Sequence, residues 1–114
     1  MSTLNLQLSN ILADLNARSY RHQLISANIA NADTPGYYAK DLDFKEALNA
    51  AMSNSGRSLD TFIKYRQTGM PSLDGNTVDI DLERTKLLEN ATMFEFSLLR
   101  ASHYFKMLET AIKG

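Results

Sequence analysis

The sequence predicts a mainly α-helical protein in which two long terminal helices pair as an antiparallel coiled coil, with a small extended and loop insert between them. Apolar residues recur in alternating steps of four and three at both ends of the chain, as in a heptad seam. Turn-forming and strand-forming residues are concentrated in the middle of the 114 residues. We therefore assign residues 1–36 and 75–114 to a terminal-helix core and residues 37–74 to the insert.

The C-terminal segment carries the stricter of the two patterns. The steps run from Ile80 to Ile112 without an intervening proline or glycine, and Arg84 is the only polar residue among them. A helix from about Asp79 to Ile112 would be roughly 50 Å long at about 1.5 Å per residue. Asn76 or Thr77 is its expected cap. The candidate seam residues are Leu87, Phe94, Leu98, Phe105, Leu108 and Ile112.

The N-terminal segment shows the same spacing less strictly, because Arg18 and His22 interrupt its apolar stripe. The sequence predicts a helix from Ser2 or Thr3 to about Ala32. The candidate seam residues are Leu8, Ile11, Leu15, Ile25 and Ile29.

A turn follows this helix. Pro35 disfavours helical geometry at Thr34. Pro35 and Gly36 fit the central positions of a type II turn, in which Gly36 supplies the positive φ. Asn28 and Asn31 lie on one face of the last helical turns, where their side chains can bond the last carbonyls and the turn amides.

The insert reads as short elements. Tyr37–Phe44 is expected to be extended, Phe44–Met52 to form a short helix, and residues 53–58 to form a polar loop tip. Leu59–Arg66 has a strand-like centre that can pair with the first extended segment. Residues 67–75 are expected to be loop.

Composition excludes several classes of protein. The net charge is −1 without a basic block, which argues against a nucleic-acid partner. The chain has no cysteine, which excludes disulfides and thiolate metal sites. No apolar run approaches the roughly 18 residues that would span a bilayer. The N-terminus lacks the features of a cleavable secretory signal, so a secreted chain would need another route.

Candidate chemistry is weak throughout. His22 and His103 lie on different helices, and a zinc site would need further ligands nearby. The acids between Asp74 and Glu83 look like calcium ligands, but Asp79 occupies the position where an EF-hand loop requires glycine. Helix capping explains these acids more simply. We predict no enzyme, no cofactor, no metal ion and no small-molecule substrate.

The C-terminal helix is too apolar for one partner. Its large apolar residues outside the seam are Leu82, Leu88, Met93, Phe96, Leu99, Tyr104 and Met107. Because one neighbouring helix cannot cover this surface as well, we infer further helix neighbours from other subunits.

The stretch from Ser26 to Tyr37, SANIANADTPGY, resembles the N-terminal signature of the bacterial flagellar rod and hook axial proteins. A later stretch, PSLDGNTVDIDLERTKLLENATMFEFSL, and the terminus FKMLETAIKG are similar to the proximal rod members of that family. The resemblance covers about residues 1–44 and 65–114. It implies a family turn motif made of Asn28, Asn31, Thr34, Pro35, Gly36 and Tyr37.

The resemblance also implies a function. Members assemble by helix packing into the basal-body rod, a periplasmic tube that transmits torque and encloses the export channel. The implied partners are copies of the chain, other rod proteins, and the export gate and membrane-ring proteins. Members leave the cytoplasm through the flagellar type III apparatus without a cleaved signal peptide. The middle, at about Lys45 to Lys64, is shorter than the family leads us to expect.

One alternative from another class stays open. A small non-flagellar coiled-coil adaptor would also bind a partner helix through such a seam, but as a discrete, stably folded species. A rod subunit is expected to complete its ordering on assembly, where burial between subunits offsets the entropy cost.

Overall fold

The computed structural model describes residues 2–66 and 73–114 and consists mainly of two long antiparallel helices. The molecule is elongated, with extents of 64 × 27 × 18 Å. The predicted fold class, two long terminal helices with a small insert, is confirmed. Most of the loop predicted for residues 67–75 lies outside the described residues. The elements are α1 (Ser2–Ala30), β1 (Lys40–Leu42), α2 (Phe44–Met52), a 3₁₀ helix (Leu59–Phe62), β2 (Ile63–Tyr65) and α3 (Ile80–Lys113).

Both long helices end close to their predicted bounds, but α3 has a different cap. The side chain of Asp79 accepts a hydrogen bond from the Leu82 N–H, which satisfies one of the free amides of the first turn. Asn76 and Thr77, the predicted caps, instead bond to the segment around the turn after α1. The prediction of the cap was therefore wrong, because both side chains are engaged elsewhere.

The insert packs along α1. β1 and β2 form an antiparallel pair in which Asp41 faces Lys64. The buried residues Ala17, Leu42 and Ala47 form a small apolar core. Around it pack the partly buried side chains of Tyr20, Leu24, Phe44, Leu48, Leu59 and Phe62. Because α1 also contacts α3 along its length, it is covered on two sides.

The face that α3 turns towards α1 is not the predicted one. The buried residues of α3 are all polar or carry a polar tip: Glu83, Asn90, Ser97 and Tyr104. They recur at heptad spacing and alternate with the half-buried Leu87, Phe94, Ala101 and Leu108. The observed seam therefore shares one row of residues with the predicted seam and replaces the other row.

Three predicted seam residues lie outside the contact between α1 and α3. Leu98 is 47% exposed, Phe105 54% and Ile112 84%. The prediction that they are buried against α1 was wrong. Leu98 and Phe105 directly follow Ser97 and Tyr104 of the observed face, and consecutive helical residues point about 100° apart. The polar row faces α1 and bonds to it, and the apolar row faces outward.

The N-terminal candidates are less exposed. Ile11 and Ile25 are buried, whereas Leu8, Leu15 and Ile29 are half-buried. His22 is exposed. In the described part of the chain, no helix is long and apolar enough to cross a membrane.

Candidate assembly site: the turn, its hub and the helix seam

The turn after α1 spans Thr34 to Tyr37. Gly36 has a φ of 72°, and the Tyr37 N–H donates to the Thr34 carbonyl at 3.3 Å. Both features are those of a type II turn with glycine at its third position. The Gly36 N–H also donates to the Asp74 carbonyl at 2.9 Å, which joins the turn to the segment that leads into α3.

Asn28 lies at the centre of the site and is 0% exposed. Its Nδ2 donates to the Lys40 carbonyl at 2.6 Å and to Glu83 Oε2 at 2.9 Å. Its Oδ1 accepts from the Lys40 N–H at 2.9 Å and from the Tyr37 hydroxyl at 3.1 Å. This one side chain therefore ties α1 to β1, to the turn and to α3.

Asn31 has a local role. Its Nδ2 donates to the Ala27 carbonyl at 2.8 Å, and its Oδ1 accepts from the Thr34 hydroxyl at 3.0 Å. These bonds cap the end of α1 and do not reach α3. The two asparagines of the motif therefore differ in function, although they look equivalent in the sequence.

Asn76 is a turn residue that the sequence analysis missed. It is buried, and its Nδ2 donates to the carbonyls of Asn31 at 2.9 Å and Thr34 at 2.7 Å. The neighbouring Thr77 hydroxyl accepts from the Ala39 N–H at 2.8 Å. The available signal was the position of both residues within the second stretch that resembles the rod proteins.

A cluster of charges completes the site. Arg21 Nε donates to Asp41 Oδ1 at 2.7 Å, and its Nη2 donates to Asp41 Oδ2 at 3.0 Å. Arg66 donates to Asp41 at 2.5 Å and forms an ion pair with Glu83, which is 1% exposed. We call Arg21, Asn28, Asp41, Arg66 and Glu83 the turn hub. It connects both long helices to the two strands of the insert.

The hub also shifts the pKa of Asp41. Burial is the largest influence on Asp41 and raises its pKa, but hydrogen bonds from Arg21 and Arg66 outweigh it and lower the pKa overall. The hydrogen bond to Asp41 raises the pKa of Arg21. Burial, followed by the charge of Glu83, raises the pKa of the Tyr37 hydroxyl.

The buried residues of α3 form a series of bonds to α1. Glu83 accepts from Asn28, as described, and Asn90 Nδ2 donates to the Arg18 carbonyl at 2.8 Å. The Ser97 hydroxyl donates to the carboxylate of Asp14. The Tyr104 hydroxyl donates to the Leu4 carbonyl at 2.7 Å. We call Glu83, Asn90, Ser97 and Tyr104 the polar ladder; it fixes an antiparallel register over nearly the whole length of both helices.

Arg18 interrupts the apolar stripe of α1 because it faces two neighbours. Its Nη1 donates to Asn90 Oδ1 at 3.4 Å, and its guanidinium lies 3.7 Å from the centre of the Phe44 ring. Burial lowers the pKa of Arg18. This side chain therefore joins α3 to the insert through α1.

The outward side of α3 is apolar. Besides Leu98, Phe105 and Ile112, the side chains of Phe96, Leu99 and Met107 are about half exposed or more. We call Leu98, Phe105 and Ile112 the outer stripe. A groove of about 480 Å³ runs between α1 and α3 beside it, with Phe94 and Leu98 among its lining residues.

Comparison with known proteins identifies the family. A family model described as "Flagella basal body rod protein" matches residues 15–37, which include the turn and much of α1. The chain is 38% identical to the flagellar basal body rod protein FlgB of Escherichia coli (strain K12), and the match covers 88% of each chain. The chain belongs to the FlgB family of flagellar basal body rod proteins. The Yersinia ruckeri FlgB is 39% identical, with 74% of this chain and 77% of the relative covered. The Aeromonas hydrophila FlgB is 36% identical, with 88% and 87% covered.

Membership of the FlgB family makes this protein a structural subunit of the flagellar basal body rod. This assignment favours the rod subunit over the coiled-coil adaptor. The alignment with the Escherichia coli FlgB extends over 122 positions, more than the 114 residues of this chain. The relative therefore has residues without a counterpart in this chain.

Proposed function

We propose that this protein is a proximal rod subunit whose helix hairpin packs side by side with those of neighbouring axial subunits to form a tube. The tube transmits torque and encloses the export channel. The observation that carries the proposal is the outer stripe: apolar residues face outward from a hairpin whose inner seam contains polar residues. Such a surface is unusual on a protein that acts alone.

The partners follow from the same surface and from the family. They are copies of this chain, other flagellar rod proteins, and the export gate and membrane-ring proteins next to the proximal rod. Contacts between unlike faces of successive subunits do not close on themselves, so they produce a helical assembly. We further propose that the chain reaches the periplasmic rod through the flagellar type III apparatus without a cleaved signal peptide, and that it has no enzymatic role.

The turn hub supports a mechanical role. Residues 1–36 and 75–114 would form the tube wall, and residues 37–74 would form an insert attached to it. Arg66, directly after β2, bonds to both Asp41 and Glu83, and Asn28 links β1 to both helices. Because these bonds are buried or partly buried, a torque on the hairpin is passed to the insert with little hinge motion.

A pair of substitutions tests the proposal. Leu98→Asp and Phe105→Asp each place a charge on the outer stripe, and in the free chain these exposed sites should change stability by no more than about 0.5 kcal/mol. In an assembled tube the same charge would be buried in an apolar contact at a cost of several kcal/mol, roughly 2–7 by transfer scales for polar groups. We expect both variants to keep the melting curve of the parent and to lose incorporation into rods and motility.

Met52→Asp is the matched control, because Met52 is also about half exposed but lies at the end of α2 in the insert. It should remain functional. Normal motility of Leu98→Asp together with Phe105→Asp would refute the assembly role of the stripe.

Amide hydrogen exchange tests the coupling of order to assembly. We expect the ends of α1 and α3 to exchange faster in the isolated chain than in the presence of rod partners. Equal, complete protection in a monodisperse small oligomer would instead support the adaptor.

A further inference from the structure

We propose that the polar ladder fixes the rotation of α3 about its own axis in the free chain, and thereby keeps the outer stripe facing outward. The inference concerns how the single subunit is built. It would hold or fail whether or not the stripe then binds rod neighbours.

Two faces of α3 are candidates for packing against α1. Both contain the row that begins with Leu87 and Phe94. The observed face adds the polar ladder, whereas the alternative face adds Arg84, Ala91 and the outer stripe. Since successive residues lie about 100° apart around a helix, a rotation of about 50° exchanges one face for the other. The alternative face buries more apolar surface, so the hydrophobic effect alone favours it.

The bonds of the ladder oppose this rotation. Each ladder residue is buried, and each bonds to a different part of α1. Rotation would break these bonds and cover their partners on α1, among them the fully buried Asn28 amide, with apolar side chains that cannot replace the bonds. A buried polar group that loses its partner costs more than the bond itself contributes. A buried polar residue in a seam is a known means of specifying the register of a coiled coil. In α3 a buried polar residue recurs in successive heptads. The partners of these residues on α1 run from Asn28 near one end to Leu4 near the other.

The absence of cysteine from the chain makes a direct test possible. Single cysteines are introduced as Ser97→Cys on the observed face and as Leu98→Cys on the outer stripe. The rate of reaction with a maleimide reports the exposure of each thiol. In a chain with no other change, the thiol of Leu98→Cys should react about tenfold faster than that of Ser97→Cys, because a buried thiol reacts only after local opening.

The same two probes are then placed in the double variant Asn90→Leu and Tyr104→Phe, which removes two rungs of the ladder in addition to the Ser97 hydroxyl that the Ser97→Cys probe itself replaces. We expect the ratio of the two rates to fall by about fivefold or more, towards equality or inversion, as α3 rotates to bury the stripe. A ratio within about twofold of the original would overturn the proposal, because apolar packing alone would then set the rotation.

The matched control replaces two exposed threonines of α3, Thr85→Val and Thr92→Val. Their hydroxyls donate only to carbonyls of the preceding helical turn, at Asp81 and Leu88. The ratio should stay unchanged in this control; an equal fall there would also overturn the proposal. If the double ladder variant loses its helical circular dichroism, Tyr104→Phe alone decides the matter. A partial fall in the ratio then supports the ladder, and an unchanged ratio overturns it.

Discussion

Replacing Asn28 by alanine should be among the most damaging single changes in this chain. The side chain is fully buried and uses both of its amide hydrogens and its oxygen in hydrogen bonds. Alanine removes the partner of the Lys40 N–H and carbonyl, of the Tyr37 hydroxyl, and of one oxygen of Glu83. The loss is spread over the turn, β1 and α3, all of which Asn28 joins to α1.

The magnitude follows from the groups left behind. A buried polar group that loses its partner costs about 1–3 kcal/mol, more when it is charged. Alanine recovers roughly 0.5 kcal/mol, because it is a better helix former than asparagine. Allowing for groups that find water, we expect Asn28→Ala to lower the free energy of unfolding by about 3–5 kcal/mol, a large part of the roughly 5–15 kcal/mol that holds a typical domain.

Equilibrium unfolding in urea, followed by far-UV circular dichroism, measures the effect. Asn31→Ala is the matched control, since the Asn31 side chain makes only local bonds at the end of α1. Its cost should stay below about 1 kcal/mol, as for loss of a helix-end bond. If the two variants differ by less than about 1 kcal/mol, the assignment of Asn28 as the residue that joins the hub is wrong.

Three further predictions concern the hub, the turn and the ladder. Because the pKa of Asp41 is lowered in the folded chain, the stability it contributes is complete above its unfolded pKa of about 3.9 and is lost as the pH falls through the lower folded value. Asp41→Asn should therefore lower stability at neutral pH and flatten the acid side of the pH–stability curve; a curve parallel to that of the parent would contradict this. Gly36→Ala should lower the free energy of unfolding in urea by about 1–2 kcal/mol, because position 36 has a positive φ, and Gly36→Asn should lower it less. Equal losses would contradict the assignment of this effect to backbone geometry. Tyr104→Phe should lower the free energy of unfolding by about 1 kcal/mol and speed amide exchange near Leu4, whereas Tyr38→Phe on the exposed surface should do neither. Unchanged exchange near Leu4 would contradict the assignment of Tyr104 to the polar ladder.

The long helices were predictable because their signals are local and repeated. Continuous heptad spacing gave the bounds of α3 nearly to the residue, and α2 was predicted at Phe44–Met52, where it lies. The small strand pair was also indicated, although the 3₁₀ helix before β2 was not. What the spacing could not decide was which row of α3 faces α1. A heptad pattern predicts that apolar residues are buried. In α3 the polar ladder is buried instead, and the outer stripe beside it is exposed.

The hub could not be read from the sequence for a different reason. Arg21, Asp41, Arg66 and Glu83 come from four separate segments, and no local pattern connects them. Glu83 in particular looked like one of several acids that favour the start of a helix. Only the chain path, which brings β1 and β2 to the junction of the two helices, places these charges together.

The order of the bonds along the hairpin gives it a direction of weakness. Leu4 and Tyr104 are joined near the two chain ends, and Asn28 and Glu83 are joined beside the turn. A pull that separates the ends loads one rung at a time, so each bond breaks before the next carries force, and the hub opens last. A push that slides α3 along α1 loads every rung at once. The hairpin is therefore easy to peel from its ends and hard to shear along its length.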